Sequence, residues 1–160
     1  MTREIGGTED GAGLRAGVVV ARFNAFITER LLAGARAALR ECGVADGDVT
    51  VVRVPGAFEV PLVAQRLASS GEVDVIVCLG AVIRGGTPHF EYVSRAVTDG
   101  IGRVMLEFGI PVAFGILTTD TVEQAVDRSG EGADNKGAEA VRTAIEMARV
   151  LEQLPGRGDV

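Results

Sequence analysis

The sequence predicts an α/β fold, a three-layer sandwich in which a four-stranded parallel sheet is covered by helices on both faces. Short valine-rich apolar runs recur at residues 17–21, 49–54, 73–79 and 112–117, and each is followed by apolar residues at helical spacing, the βαβα order of a parallel sheet. The runs are continuous rather than alternating, as expected of strands buried on both faces. The chain is 160 residues long, the length of one domain with a single substantial core.

The first helix is expected over residues 25–42, because Ile27, Leu31, Ala35, Leu39 and Cys42 share a face and Gly43 can end it left-handed. The second, over 60–70, has Pro61 in its first turn and Gly71 after its end. Phe90, Val93, Val97, Ile101, Val104 and Met105 mark a third, although Gly100 and Gly102 each weaken it by about 1 kcal/mol against alanine. A short helix should follow Asp120, whose carboxylate can cap it while Glu123 completes a capping-box spacing. The last is expected over 136–154, on Val141, Ala144, Ile145, Ala148 and Leu151. Residues 1–14 read as a flexible N-terminal segment, 15–154 as a single domain and 155–160 as a C-terminal tail.

Sixteen basic against 22 acidic residues give a net charge of −6, so no uniformly basic face exists for a nucleic acid or an anionic membrane. The longest apolar runs, 75–83 and 108–117, are about half the ~18 residues of a membrane span. The first 13 residues mix Glu4, Glu9 and Asp10 with glycines and hold no secretory apolar region, so a cytoplasmic protein is expected. Cys42 and Cys78 fall on an apolar helix face and in a strand, the usual places for buried reduced thiols. His89, Lys136 and Tyr92 are each the only residue of their kind, so imidazole chemistry within one subunit must use His89.

Ligands of open parallel sheets bind beyond the carboxyl ends of the strands. After the first strand stands Arg22-Phe23-Asn24, with an aromatic where a nucleotide-binding sheet carries a phosphate loop; Phe23 can stack on a flat heteroaromatic ring or pack under its own helix. After the second stands P-G-A-F-E-V-P at 55–61, a rigid turn into a helix start. There Glu59 can accept hydrogen bonds from ligand hydroxyls or stabilise the helix dipole. After the third stands G-A-V-I-R-G-G-T-P-H-F at 80–90. Thr87 suits an N-cap, Pro88 the first helical position, and the glycine pair lets backbone wrap an anion at the helix N-terminus. His89 in that first turn is a candidate general acid or base, although a lone histidine is more often structural. Downstream of the fourth strand, Arg128 and Lys136 stand beside glycines, suited to phosphate and carbonyl oxygens or to plain surface charge.

Together with A-R-F-N at 21–24, F-G-I-L-T-T at 114–119, D-R-S-G at 127–130 and N-K-G at 135–137, these motifs make the chain resemble the 6,7-dimethyl-8-ribityllumazine synthases from about residue 14 to 151. The resemblance implies a flavodoxin-like fold and a transferase of riboflavin biosynthesis. That enzyme condenses 5-amino-6-(D-ribitylamino)uracil with 3,4-dihydroxy-2-butanone 4-phosphate, releasing phosphate and water, with no metal or organic cofactor. By position it implies that Phe23 stacks on the pyrimidinedione and that Ala57, Phe58 and Glu59 take the ring edge and ribityl chain. Ala81, Val82 and Ile83 complete the ring pocket, Gly86, Thr87 and Arg128 hold the phosphate, and Lys136 approaches a ring carbonyl. His89 transfers protons, and Phe114 closes the pocket from a neighbouring subunit. The resemblance further implies a homopentamer, in some members a shell of twelve pentamers, and an association with riboflavin synthase. The short span 129–135 resembles that of the shell formers, and residues 1–14 are expected to add to a neighbour's sheet. Two competing readings are a catalytically silent shell protein of the same fold, which should have lost His89, Arg128 or the P-G-A-F-E turn, and a flavin-binding carrier, which should carry the phosphate loop missing at 21–24.

Overall fold

The computed structural model of the protein describes residues 1–132 and 134–156, so the end of the expected C-terminal tail, residues 157–160, lies outside the described residues. Four strands, β1 (Ala16–Ala21), β2 (Val49–Val54), β3 (Val75–Ile83) and β4 (Val112–Thr119), form one sheet in the order β2-β1-β3-β4 with every pair parallel. The helices are α1 (Ala25–Glu41), α2 (Val60–Ser70), α3 (His89–Phe108), α4 (Val122–Arg128) and α5 (Lys136–Glu152). This is the flavodoxin-like α/β sandwich, its strand order reversing between β1 and β3.

The period-2 alternation of the strands divides the core into two layers. Val18 and Val20 of β1, Val75, Val77 and Leu79 of β3 and Leu117 of β4 pack under α1, α4 and α5. Val19, Ile76, Cys78, Val112 and Ile116 face the opposite way, against α2 and α3. β1 is buried along its whole length and β3 nearly so. The edge strand β2 departs from the expected two-sided burial, because only Val54 is fully covered.

The glycine punctuation works as the sequence suggests: Gly43 and Gly71 take φ of 89° and 72° after α1 and α2, conformations that L side chains resist. Gly100, a weak spot in α3 by propensity, has a packing reason. A Cβ there would lie 2.7 Å from Pro61 Cβ, so its absence lets α2 and α3 approach.

Two caps differ from expectation. α4 is capped by Thr121, whose hydroxyl accepts from Gln124 N at 3.1 Å, and not by Asp120, whose carboxylate instead accepts from Arg84 Nε at 2.8 Å. The cap of α3 is Pro88 rather than Thr87, and no side chain makes a cap hydrogen bond there. Residues 1–14 run along α5 of the same chain: Arg149 donates to the carbonyls of Asp10 and Ala12, each at 2.8 Å, and Gln153 Nε2 donates to that of Gly6 at 2.6 Å.

Candidate active site

The segments following β1, β2 and β3 converge beyond the carboxyl ends of the strands on a cavity of about 790 Å³, within the range of small-molecule sites. It spans the β1/β3 reversal point, where this fold class places ligands. Another cavity of about 290 Å³ lies between the end of α3, the start of β4 and α5, and its lining carries no titratable side chain. The larger one, which carries Glu59, His89 and Tyr92, is the candidate site.

Phe23 and Phe58 stand in its wall 72% and 64% exposed. Aromatic rings held this far into solvent contribute nothing to the chain's own core and leave their faces open to a flat ligand. For Phe23 this removes the alternative of packing under α1. Its backbone N–H donates to Pro55 O at 3.0 Å, tying the segment after β1 to the turn after β2. Asn24, next along, has φ 63° and ψ 46°, the one non-glycine residue with positive φ among the described residues. Asparagine tolerates that conformation, and its Nδ2 donates to Ala81 O at 2.8 Å, fixing the floor of the cavity across 57 residues of sequence.

Ala57–Glu59 form one 3-10 turn leading into α2, with Glu59 as the residue that caps α2. The carboxylate makes no cap hydrogen bond and, among the described residues, no ion pair. It is an acceptor without a partner on the cavity wall. From β3 come Ala81, Val82 and Ile83, from the following loop Gly85 and Thr87, and from the start of α3 His89. Gly85 and Gly86 have negative φ and no atom within 4 Å of where a Cβ would sit. The chain's own packing thus gives no reason for glycine at either position, and the helix start they lead into has no side-chain cap. The imidazole of His89, on the first residue of α3, is exposed on the cavity wall.

The cavity thus gathers Phe23, Ala57, Phe58, Glu59, Ala81, Val82, Ile83, Thr87 and His89 from the sequence-derived set, together with Asn24, Tyr92 and Val93, which that reasoning did not select as ligands. Tyr92 and Val93 follow His89 by three and four residues, so helical spacing was the available signal. Gly86, Phe114, Arg128 and Lys136 are not part of its lining. Phe114, on the edge strand β4, is 44% exposed. Arg128 Nη1 donates to Gln124 O in α4 at 3.1 Å, and Lys136 Nζ pairs with Glu139 of α5 at 2.8 Å.

Arg128 and Lys136 flank a buried junction. Asn135, 2% exposed, donates from Nδ2 to the carbonyls of Arg30, Ser129 and Gly130 and accepts at Oδ1 from Gly137 N and Ala138 N. One amide joins α1, the loop after α4 and the start of α5. Gly34 and Gly137 make room for it, since a Cβ on Gly34 would strike the Asn135 side chain and one on Gly137 the carbonyl of Leu31.

No helix among the described residues is long and apolar enough to cross a membrane. Residues 13–152, nearly the whole folded part, match the family model described as 6,7-dimethyl-8-ribityllumazine synthase, and the chain belongs to that family.

Proposed function

We propose that the protein catalyses the reaction of its family, joining 5-amino-6-(D-ribitylamino)uracil to 3,4-dihydroxy-2-butanone 4-phosphate with loss of phosphate and water. The observation that carries this is a cavity that combines exposed aromatic faces, a carboxylate unpartnered among the described residues and a glycine-lined helix start. Phe23 stacks on the pyrimidinedione. Glu59 accepts hydrogen bonds from ribityl hydroxyls, and backbone groups of Ala81, Val82 and Ile83 read the ring edge. The phosphate sits before the first amides of α3, beside Gly86 and Thr87, and His89 next to it moves protons as the amine adds to the ketone and the phosphate departs. Holding both reactants together supplies most of the rate.

Arg128 as phosphate ligand, Lys136 near a ring carbonyl and Phe114 over the ring then act on the cavity of a neighbouring copy, because none of the three lines its own. A head-to-tail contact of this kind closes into a ring; a pentamer is the reading, with twelve pentamers in a shell favoured by the seven-residue span 129–135, of which Ala133 lies outside the described residues. Incubating the protein with both substrates while following lumazine absorbance and inorganic phosphate tests the activity. Product and phosphate in equal amounts are expected; phosphate without product, or neither, contradicts the assignment. Sedimentation at neutral pH tests the assembly, and a species no larger than five or ten subunits excludes the shell.

A further inference from the structure

Arg84 belongs to the same motif as the cavity loop, yet it does not line the cavity. Its backbone N–H donates to Thr119 O at 2.8 Å, one step beyond the end of the β3–β4 ladder. From there the guanidinium spreads between two carboxylates: Nε donates to Asp120 at 2.8 Å and Nη1 to Glu91 at 3.0 Å. Its Cζ also lies 4.4 Å from the centroid of the Phe90 ring, which lines the cavity. Asp120 in turn is anchored through its N–H to the side chain of Gln124 in α4, at 2.8 Å.

These contacts bracket the loop between β3 and α3. Residues 85–88 are exposed, the start of α3 has no side-chain cap, and among the described residues no side chain of 85–88 makes a hydrogen bond. Phe90 packs against the core layer shared with α2, and the polar tie between α3's first turn, and with it His89, and the end of the sheet is the bond of Arg84 Nη1 to Glu91, with the guanidinium stacked on Phe90. The three charged side chains are 44%, 63% and 64% exposed, and ion pairs this open contribute little to stability. Geometry is a different matter, since a displacement of about 1 Å at a reacting group can cost 10²-fold in rate.

We propose that Arg84 is a positioning residue for catalysis: by clamping Glu91 and Phe90 against Asp120 it sets the direction in which His89 presents its imidazole to the cavity. The inference rests on His89 as the proton-transfer group. It is tested by a double-mutant cycle of Arg84→Met, which keeps the stem over Phe90 and removes the fork, with His89→Ala. The expected result is a fall of about 10-fold in kcat in the wild-type background with KM for both substrates nearly unchanged, and less than 2-fold in the His89→Ala background, because the group being positioned is gone. Arg84→Lys, with charge but no fork, should recover part of the loss. Equal losses in both backgrounds, or no loss in kcat, overturn the proposal. Should Arg84→Met fail to fold, Glu91→Gln runs through the same cycle, with the same pattern expected and the same results decisive. A His89→Ala enzyme as fast as wild type overturns the proton-transfer reading itself; a slow one with additive losses overturns the role of Arg84 alone.

Discussion

The cavity and the Asn135 junction are built on opposite terms. At the junction every polar atom of one buried side chain is met inside the chain, and two glycines are notched to admit it. At the cavity, the exposed rings of Phe23 and Phe58, the Glu59 carboxylate and the His89 imidazole stand without polar partners among the described residues, and the start of α3 has no side-chain cap. A group left unsatisfied in a folded protein is either destabilising or waiting for a ligand, whereas a completed network resists movement. The difference therefore separates a receiving surface from a rigid mount. Arg128 and Lys136, carried just outside the junction, are cations on a firm support and do not line their own chain's cavity.

The largest effect should come from breaking the mount. Asn135→Ala withdraws a donor from three carbonyls, of which Ser129 O keeps Arg30 Nε, and leaves two amides at the start of α5 without their acceptor, and is expected to cost about 3–5 kcal/mol. At this chain length that lowers Tm by roughly 10 °C, measurable by calorimetry. Next comes Arg128→Ala, which should lower kcat/KM by about 100-fold, chiefly through KM for the butanone phosphate, since charge-assisted contacts to phosphate are the strong ones. Arg128→Lys should recover part of this, because a point charge cannot reproduce the fork. If KM for the ribityl substrate rises instead, the roles are exchanged. His89→Ala should be milder, slowing kcat by about 10- to 100-fold without abolishing turnover, because proximity remains.

Smaller effects mark the regions that belong to neither. Asp74 accepts from the backbone N–H, Nε and Nη2 of Arg15, and this pairing holds its carboxyl below the usual value. A depressed folded-state pKa stabilises above the ordinary carboxylate pKa and the contribution is lost as pH falls through the folded value. The Tm difference between wild type and Asp74→Asn should thus be full at neutral pH and shrink as pH drops below about 4. In thiol titration Cys78, fully buried and pushed up to about 12 by that burial, should react only on unfolding; modification in the native state would contradict the packing of β3.

What was legible in the sequence was whatever local chemistry encodes. Strand runs, the left-handed glycines at 43 and 71 and the motif segments after the first three strands all declare themselves within a few residues. What escaped depends on distant partners. Asp120 has the spacing of a helix cap, but Arg84, 36 residues earlier, takes its carboxylate. Asn24 is polar and unremarkable until its amide meets Ala81 O across 57 residues. The separation of Phe114, Arg128 and Lys136 from the nine residues that line one cavity is likewise a property of the assembled sheet, since these three lie on β4 and the helices that follow it, while the segments after β1, β2 and β3 form the cavity.

That separation is the centre of the account, and mixed assemblies test it most directly. Co-expression of Arg128→Ala and His89→Ala chains carrying different tags, followed by sequential purification on both, yields particles that hold both kinds of subunit. If Arg128 serves a neighbour's cavity, a random one-to-one mixture regenerates intact sites at about a quarter of the interfaces of a ring, and activity should rise well above that of either variant alone. If each chain serves its own cavity, no site in the mixture is whole, and activity no greater than the average of the two variants would contradict the account.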